Sequence, residues 1–546
     1  MYYTSRETYE FVSKQTNDPI VEWKTCKVSG QPFPIYQSDL EFYKKISPTF
    51  NGVKFQIPTP TLCPEERARK RLSFRNERHL YRRACDASGK SLITTYSPDK
   101  PYKVYDQKLW RGDSRNPLDY GIAFNPAQSF SQHFSSLLTN VPRPSLISAN
   151  AENAEYINLT ADAKNCYMVI ESSNVENCLY SYRLQRCTNC VDCNFSESCE
   201  VCYEIDNCFR CYKCFYSQSL NDCSDCRYCN TCEHCSFCFG CANLQNQSYC
   251  IYNKQVSKEE FEQYMKSHVT NEYQTIRNQY PEIKNQVRRS ERSYGNYLTN
   301  TKNCVFCYHG YDAEDCKYGE HVLRNVKDCR DVSTVGRDAS LIYESINTAI
   351  NVSNNAFCNT CRDSHDIWYS DLCFYSDHLF GCVGLRNQSY CIFNKQYEKA
   401  EYETLIPQLI KKMHSDGEWG EFFHPSLSPF GYNETVAQES FPLEKTDLPA
   451  QHGYKRSDYS SDPKIPDNAE LLHPATLPDD QRKALVNDDS ILKKIIICAE
   501  SGRPFIIQRL ELDFYRKMGL PLPKLHPDLR HAEKMKLRQN KLFYSE

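Results

Sequence analysis

No run of 18 apolar residues occurs anywhere in the 546-residue chain, which argues against a membrane-spanning helix. The opening, MYYTSRETYEFVSKQ, lacks the basic stretch and apolar core of a secretory leader, so the expected compartment is the cytoplasm and no membrane contact is expected. Net charge is scarce as well. The 66 Lys and Arg against 69 Asp and Glu leave −3, which excludes a globally basic nucleic-acid coat and confines any pull on phosphates to local patches. Catalytic signatures are missing: there is no G-x-S-x-G, P-loop, H-E-x-x-H or G-x-G-x-x-G, and the 14 histidines keep no paired carboxylates. The expectation is a protein that is not an enzyme.

What is present is a chain with 40% apolar residues, long enough for three or four domains with real cores, and 31 cysteines. In a reducing compartment cysteines stay free, so the pattern points to metal binding or packing rather than disulfides. The sequons Asn194-Phe195-Ser196 and Asn246-Gln247-Ser248 read as turn chemistry.

Cut every 21 residues from Cys166, the chain aligns as CYMVIESSNVENCLYSYRLQR, CTNCVDCNFSESCEVCYEIDN, CFRCYKCFYSQSLNDCSDCRY and CNTCEHCSFCFGCANLQNQSY. Cys166, Cys187, Cys208, Cys229 and Cys250 form one column, and Cys178, Cys199, Leu220 and Cys241 another. A column that accepts Leu for Cys behaves as a small apolar core site. With corners rich in Asn, Asp and Ser, the rows read as short strands of a β-solenoid with 21-residue coils. A second block repeats the first: Gly240 to Gln255 reappears as Gly381 to Gln396, and Lys164-Asn165-Cys166 as Lys302-Asn303-Cys304. Each block ends in a helix, the first opened by the capping box Ser257-Lys-Glu-Glu260 and running through about His268, the second running from Glu398 to Met413 with Pro407 inside it.

The two ends match each other. Cys26-x-x-Ser29-Gly30-x-x-Phe33-x-Ile35, Asp39-x-x-Phe42-Tyr43-x-Lys45 and Cys63-Pro64-x-Glu66-Arg67 recur as Cys498-x-x-Ser501-Gly502-x-x-Phe505-x-Ile507, Glu511-x-x-Phe514-Tyr515-x-Lys517 and His526-Pro527-x-Leu529-Arg530. These residues resemble a family of small treble-clef zinc-binding domains with the pattern C-x-x-C-G, an acid before Phe-Tyr, then C-P-x-C-R. The resemblance implies a zinc site at Cys26 and Cys63, with Cys85 or Glu66 completing the set. The pattern departs at the ligands, where Ser29, Glu66, Ser501, His526 and Leu529 stand. The whole chain is also similar to uncharacterised cysteine-rich proteins from bacterial genomes.

Both modules run into basic segments. Pro64 to Arg83 reads as one helix whose last seventeen residues carry Arg67, Arg69, Lys70, Arg71, Arg75, Arg78, Arg82 and Arg83. The rear copy has Arg530, Lys534, Lys536, Arg538 and Lys541. Interleaved Phe74, His79 and Tyr81 suit base stacking while the cations meet phosphates. The competing reading is a charged face solvated by water or spent on protein contacts. In the first solenoid, Cys190, Cys193, Cys211, Cys214, Cys232 and Cys235 are the metal candidates if C-x-x-C pairs of adjacent coils approach one another. Otherwise they form a thiol ladder.

The fold expectation is therefore mainly β: two tandem Cys-rich solenoid blocks with helical caps, flanked by α+β treble-clef-like modules. The expected segments are a front module at 1–95, a connector at 96–144 covering the first coil, block one at 145–268, a helical connector at 269–300, block two at 301–414, a Pro-rich extended linker at 415–490 and a rear module at 491–546. The leading functional expectation is a solenoid spacer presenting its modules to nucleic acid, RNA or a ribonucleoprotein. Alternatives are a protein-interaction scaffold, with protein partners or self-assembly, and zinc or other metal binding and storage.

Overall fold

The structure, a computed structural model, describes residues 3–267, 280, 285–348, 350–444, 452–460, 465–477 and 489–537. It is mainly β, and both cysteine-rich blocks are parallel β-solenoids. The coil is set by a tripeptide. In each three residues one side chain points inward, the next is extended and points outward, and the third has positive φ, as at Asn189, Asp192, Phe195 and Ser198. Four such steps close a coil, so Cys190 lies beside Cys202 and Cys238 beside Cys250, twelve residues apart. The expected coil of 21 residues is thus corrected to twelve. Twenty-one is a multiple of three, and cysteines that recur at every third position align at any such multiple whether or not they are stacked.

The narrow bore dictates the interior residues. The outward extended residue donates to the next coil (Leu179 N–H to Cys190 O, 3.0 Å), and the positive-φ residue to the previous one (Asp192 N–H to Leu179 O, 3.1 Å). The inward residue's own N–H therefore needs an acceptor inside the tube. Serine supplies it from the coil before: Ser181 Oγ accepts from Cys193 N–H at 3.1 Å, and Ser217 Oγ from Cys229 N–H at 3.1 Å. Cysteine does the same with sulfur, Cys193 Sγ accepting from the Ile205 N–H of the next coil. The thiol in turn donates to the carbonyl two residues back, as from Cys190 to Thr188 O at 3.4 Å. Burial pushes the Cys178, Cys193 and Cys202 thiols up, which keeps them protonated donors.

Outside, corners of the first solenoid carry an asparagine ladder, Asn153 to Asn165 to Asn177 to Asn189, at 2.8, 3.1 and 3.2 Å. The second solenoid inserts one residue in some coils, pairing Ala313 with Val326 and Ala339 with Val352. The insertions fall at corners with two consecutive positive-φ residues, Arg324–Asn325 and Ile350–Asn351. Each solenoid ends in a short antiparallel strand, Lys254–Gln255 or Lys395–Gln396, followed by a helix, Lys258–Ser267 or Lys399–Asp416. The Ser257–Glu260 box closes as expected, at 2.8 and 3.1 Å. His268 lies outside the described residues.

The chain divides into two compact units, one joining residues 1–145 to 284–458 and the other joining 146–283 to 459–538. The front module accordingly shares its unit with the second solenoid, and the rear module with the first. The connector at 96–144 covers the second solenoid rather than the first coil: Ile122 N–H donates to Phe393 O at 3.0 Å, and Arg143 pairs with Asp371 at 2.6 Å. The helical connector at 269–300 is corrected where it is described, since Val287–Arg288 and Tyr294–Lys302 are solenoid strands. The extended linker fails over 417–441, where Trp419, Phe422, Phe423 and Tyr432 join the core around Trp368 and Tyr402 because their aromatic bulk closes the open face of the second solenoid. Pro449, Pro463 and Pro478 lie outside the described residues.

The interior rule is testable by exchange within a column. Cys193 lies between Ser181 and Ile205, so Cys193→Ser is expected to change unfolding free energy by no more than about 1 kcal/mol, whereas Cys193→Asp places a charge in the bore and costs several-fold more. Urea unfolding of the full chain measures both. All 31 cysteines are free, and all are buried. A disulfide-exchange reagent should accordingly find few thiols in the native chain and all 31 after denaturation.

Candidate functional site

Both terminal modules contain a hairpin whose turn is a cysteine knuckle. In the front copy Cys26 N–H donates to Gln31 O at 2.9 Å and Gly30 N–H to Cys26 O at 2.9 Å; in the rear copy Cys498 N–H donates to Arg503 O at 2.9 Å and Gly502 N–H to Cys498 O at 3.1 Å. Gly30 and Gly502 sit at φ +70° and +68°, where a side chain would be strained. A third knuckle, not recognised in the sequence, lies at Cys85-Asp-Ala-Ser88-Gly89, with the same two bonds at 2.8 Å and Gly89 at φ +69°. Cys85 belongs to that knuckle, where its sulfur accepts from Asp106 N–H at 3.3 Å, and so does not complete a set with Cys26 and Cys63. The signal that would have found it is the C-x-x-S-G string itself.

In the front knuckle Ser29 Oγ meets Cys63 Sγ at 3.6 Å, and the Cys63 thiol hydrogen bond holds Cys26 down at about 4 while pushing Cys63 up. Glu66, at the last position of the pattern, instead takes the Tyr3 hydroxyl at 2.9 Å and pairs with Arg69. In the rear, Cys498 Sγ accepts from His526 N–H at 3.2 Å, and Leu529 packs against the core. The solenoid candidates are also redistributed by the twelve-residue coil. Cys190 stacks between Cys178 and Cys202, Cys193 below Ile205, Cys211 between Cys199 and Cys223, Cys214 between Cys202 and Cys226, Cys232 between Leu220 and Leu244, and Cys235 above Cys223. The tetrad built on 21-residue stacking does not form. Among the described residues, no group of three or more His, Cys, Asp or Glu is arranged to hold a metal ion.

The basic segments are where the structure departs furthest from expectation. The helix Pro64–Leu72 ends well before Arg83, which lies in the strand Tyr81–Ala84. Its arginines face the second solenoid. Arg67 Nε meets Asp331 at 2.9 Å and its Nη1 the Leu62 carbonyl at 2.6 Å, while Arg71 meets Glu344 at 2.7 Å. Arg67 and Arg71 are only 3% and 1% exposed, so neither can reach a phosphate. Arg69 is buried against Glu66 and the Tyr454 ring, Lys70 reaches Glu421 at 3.3 Å, and Arg75 is buried on Glu77 with Thr334 at 2.8 Å. Arg83 meets Asp86 at 3.2 Å, Arg78 is half-buried and Arg82 is exposed. Phe74 and Tyr81 are buried too, Phe74 against Phe422 at 5.4 Å and Tyr81 donating to Glu434 at 2.5 Å; His79 is exposed.

The rear helix Pro527–Leu537 makes the same dock on the first solenoid. Arg530 meets Asp192 at 2.5 Å, and Lys534 meets its other oxygen at 3.1 Å. Lys536 is exposed and pairs with Glu533 at 2.6 Å, and Arg538 and Lys541 lie outside the described residues. The correspondence extends across the interface. Arg67 lies over the Tyr318 ring (5.2 Å) and Arg530 over the Tyr180 ring (4.7 Å). One coil on from these tyrosines stand Asp331 and Asp192, and one coil further Glu344 and Glu204, all at positive-φ corners. The Phe-Tyr pairs complete it: Tyr43 packs on Tyr343 at 5.3 Å and Tyr515 on Tyr203 at 5.7 Å. The acids of the modules are spent inside, Glu511 taking the Tyr180 and Tyr515 hydroxyls at 3.0 and 2.9 Å, and Asp39 lying 3.4 Å from both Lys317 and Arg330.

Burial dominates the electrostatics of these docks. It pushes the Glu344 carboxyl up to about 7 against the pull of Arg71, and raises Glu66, Glu204 and Glu511. A carboxyl raised on folding binds a proton in the folded state that the unfolded chain has released, so its contribution to stability falls as pH rises from about 4.5 to about 7. Asp18, held down by Lys317 despite burial, acts only at lower pH.

Two measurements follow from the dock. Asp331→Ala leaves Arg67 and Arg71 facing one carboxylate and is expected to cost about 3–5 kcal/mol in urea unfolding, with Asp192→Ala doing the same in the other unit. Unfolding midpoints taken between pH 4.5 and 7 should decline, and Glu344→Gln should flatten the decline; a midpoint that rises over this range would contradict the burial argument. Comparison of the chain with protein-family models and with curated proteins finds no match.

Proposed function

We propose that the chain is a non-catalytic scaffold, in which each solenoid is a rigid rod carrying one clamped module for protein assembly. The observation that carries this reading is the duplicated dock: Arg67 and Arg71 on Asp331 and Glu344, Arg530 and Lys534 on Asp192. Cations committed to buried carboxylates are interior cement, and the reading of these helices as nucleic-acid hands loses its main support. The knuckles serve the same end, since Ser29 and Cys63 join by a hydrogen bond where the resembled family would use a metal. Rigidity follows from the solenoid itself, whose coils hydrogen-bond continuously to their neighbours.

Hydrogen exchange tests the clamp: amides of 64–72 and 527–536 should exchange as slowly as the solenoid strands they face. The assembly role is tested on the full chain purified from its native cell. A partner or defined oligomer that co-elutes at fixed stoichiometry after nuclease treatment supports it, and a monodisperse monomer without a partner discards it.

A further inference from the structure

A row of arginines in the first unit has no carboxylate to answer it. Solenoid coils place Arg362, Phe374 and Arg386 side by side on one face, so the two arginines stand two coils, or about 10 Å, apart. The helix Gln107–Arg111 and the segment after it add Arg111 and Arg115. Arg386 Nη1 donates to the Arg111 carbonyl at 2.7 Å, which draws the two residues together. Arg115 lies over the Trp110 ring at 4.6 Å and donates to the Gly384 carbonyl at 3.0 Å. Gly384, at φ +67°, leaves its Cβ side open to that guanidinium, 3.5 Å from where a Cβ would stand.

Among the described residues none of these four arginines, Arg111 exposed and the other three half-buried, forms an ion pair, whereas the fully buried arginines of the unit do. Of the acids nearest in sequence, Asp363 beside Arg362 accepts from Asn351 at 3.5 Å, and Asp113, exposed between Arg111 and Arg115, forms no ion pair with either. Buried nitrogens of Arg115 (Nη1) and Arg386 (Nε) have no hydrogen-bond partner. Burial together with Arg362 and Arg386 lowers Arg111, and burial brings Arg115 down to about 10. Mutual repulsion of this kind is relieved by an anion. Beside the row Tyr375, the corner residue after Phe374, is 52% exposed with Arg386 5.9 Å above its ring.

We propose that this face binds single-stranded nucleic acid, with Arg111, Arg362 and Arg386 on successive phosphates and Tyr375 stacked under a base. A row of cations suits a polyanion better than a single phosphate, and an exposed ring beside it suits a base better than a phosphorylated side chain. Arg115 is a positioning residue, holding the helix against Gly384. The proposal goes beyond the scaffold reading and stands on its own observations, adding a nucleic-acid partner to it.

The test is fluorescence anisotropy of the full-length chain with a labelled oligouridylate of about 15 nucleotides over a range of salt. Each phosphate contact on a single strand contributes about −0.7 to the log–log slope, so R111Q/R362Q/R386Q should shrink it by about 2 and weaken low-salt binding at least about tenfold. Tyr375→Ala should weaken binding about tenfold with the slope unchanged. Unaltered urea midpoints for both variants show that the fold is intact. No binding by the wild type at low salt, a triple variant that binds like it, or binding to a phosphopeptide in place of the oligonucleotide would each overturn the proposal. Loss of this proposal while the nuclease-resistant assembly persists leaves the scaffold reading standing; loss of that assembly with oligonucleotide binding retained removes the scaffold alone.

Discussion

The hydrogen bond that the rest of the structure depends on is the one made by each inward-facing amide. A coil of four three-residue sides satisfies two of every three N–H groups by strand pairing, and the third points into the bore. Unmet, each would cost about 1–3 kcal/mol. A side chain that accepts it must be short enough for the tube and must bury its own polar atom at little expense. Serine and cysteine meet the first demand, and cysteine meets the second better. Its sulfur accepts the amide, as Cys193 does from Ile205, and its weak S–H finds the carbonyl two residues back, as in Cys190, without the desolvation cost of a hydroxyl. The 27 cysteines between Cys166 and Cys391 then follow from the geometry of a narrow tube, with no appeal to oxidation state.

The same geometry creates the docks. A positive-φ corner at every third residue costs about 1–2 kcal/mol for a residue other than glycine, and is held in place by hydrogen bonds from the coils on either side. In return, corner side chains project outward and form columns at the strand spacing. Columns of Tyr180, Asp192 and Glu204 and of Tyr318, Asp331 and Glu344 present a ring and two acids in one line. An i, i+4 pair of cations on a helix fits that line, because residues four apart share a helix face. The clamp is therefore the meeting of two periodicities, one of the helix and one of the solenoid.

That meeting also explains what could be read from the sequence. The solenoid, its duplication, its capping helices and the matching modules were legible because each repeats in strings of identical residues. The coil length was not: when every third residue is inward, a spacing of 21 and one of twelve leave the same trace in the cysteines, and the stacking shows in outward columns such as Asn153, Asn165, Asn177 and Asn189. The burial of Arg67 and Arg71 was hidden for a related reason. Their partners lie more than 260 residues away at single corner positions, so nothing local marks the helix as buried. The aromatic segment 417–441 misled in the opposite direction, the prolines from Pro442 to Pro478 suggesting a linker over all of 415–490 while Trp419 and Phe422 supplied core.

Chain order adds a final constraint. The modules stand at the outer ends of the sequence and the solenoids between them, yet the front module docks with the second solenoid and the rear module with the first. Neither compact unit is continuous in sequence, so each closes only after distant segments have met. Loop closure over such separations is slow but only modestly more costly for its length. The cost must be recovered by contacts specific enough to reject the wrong partner, since both modules carry the same hairpin and the same helix. The two docks share their first cation, Arg67 or Arg530, and the Tyr-Asp-Glu column it faces, and so cannot discriminate by those. They differ in what surrounds them: Asp39 of the front module lies between Lys317 and Arg330 of the second solenoid, while Glu511 of the rear module takes Tyr180 of the first. A front module placed on the first solenoid would leave Asp39 without its two solenoid cations, and a buried unpaired charge is the strongest available penalty against mispairing. The acid before the Phe-Tyr pair is accordingly a position where the two copies set the same charge against different solenoid partners, and an electrostatic basis on which the two modules differ.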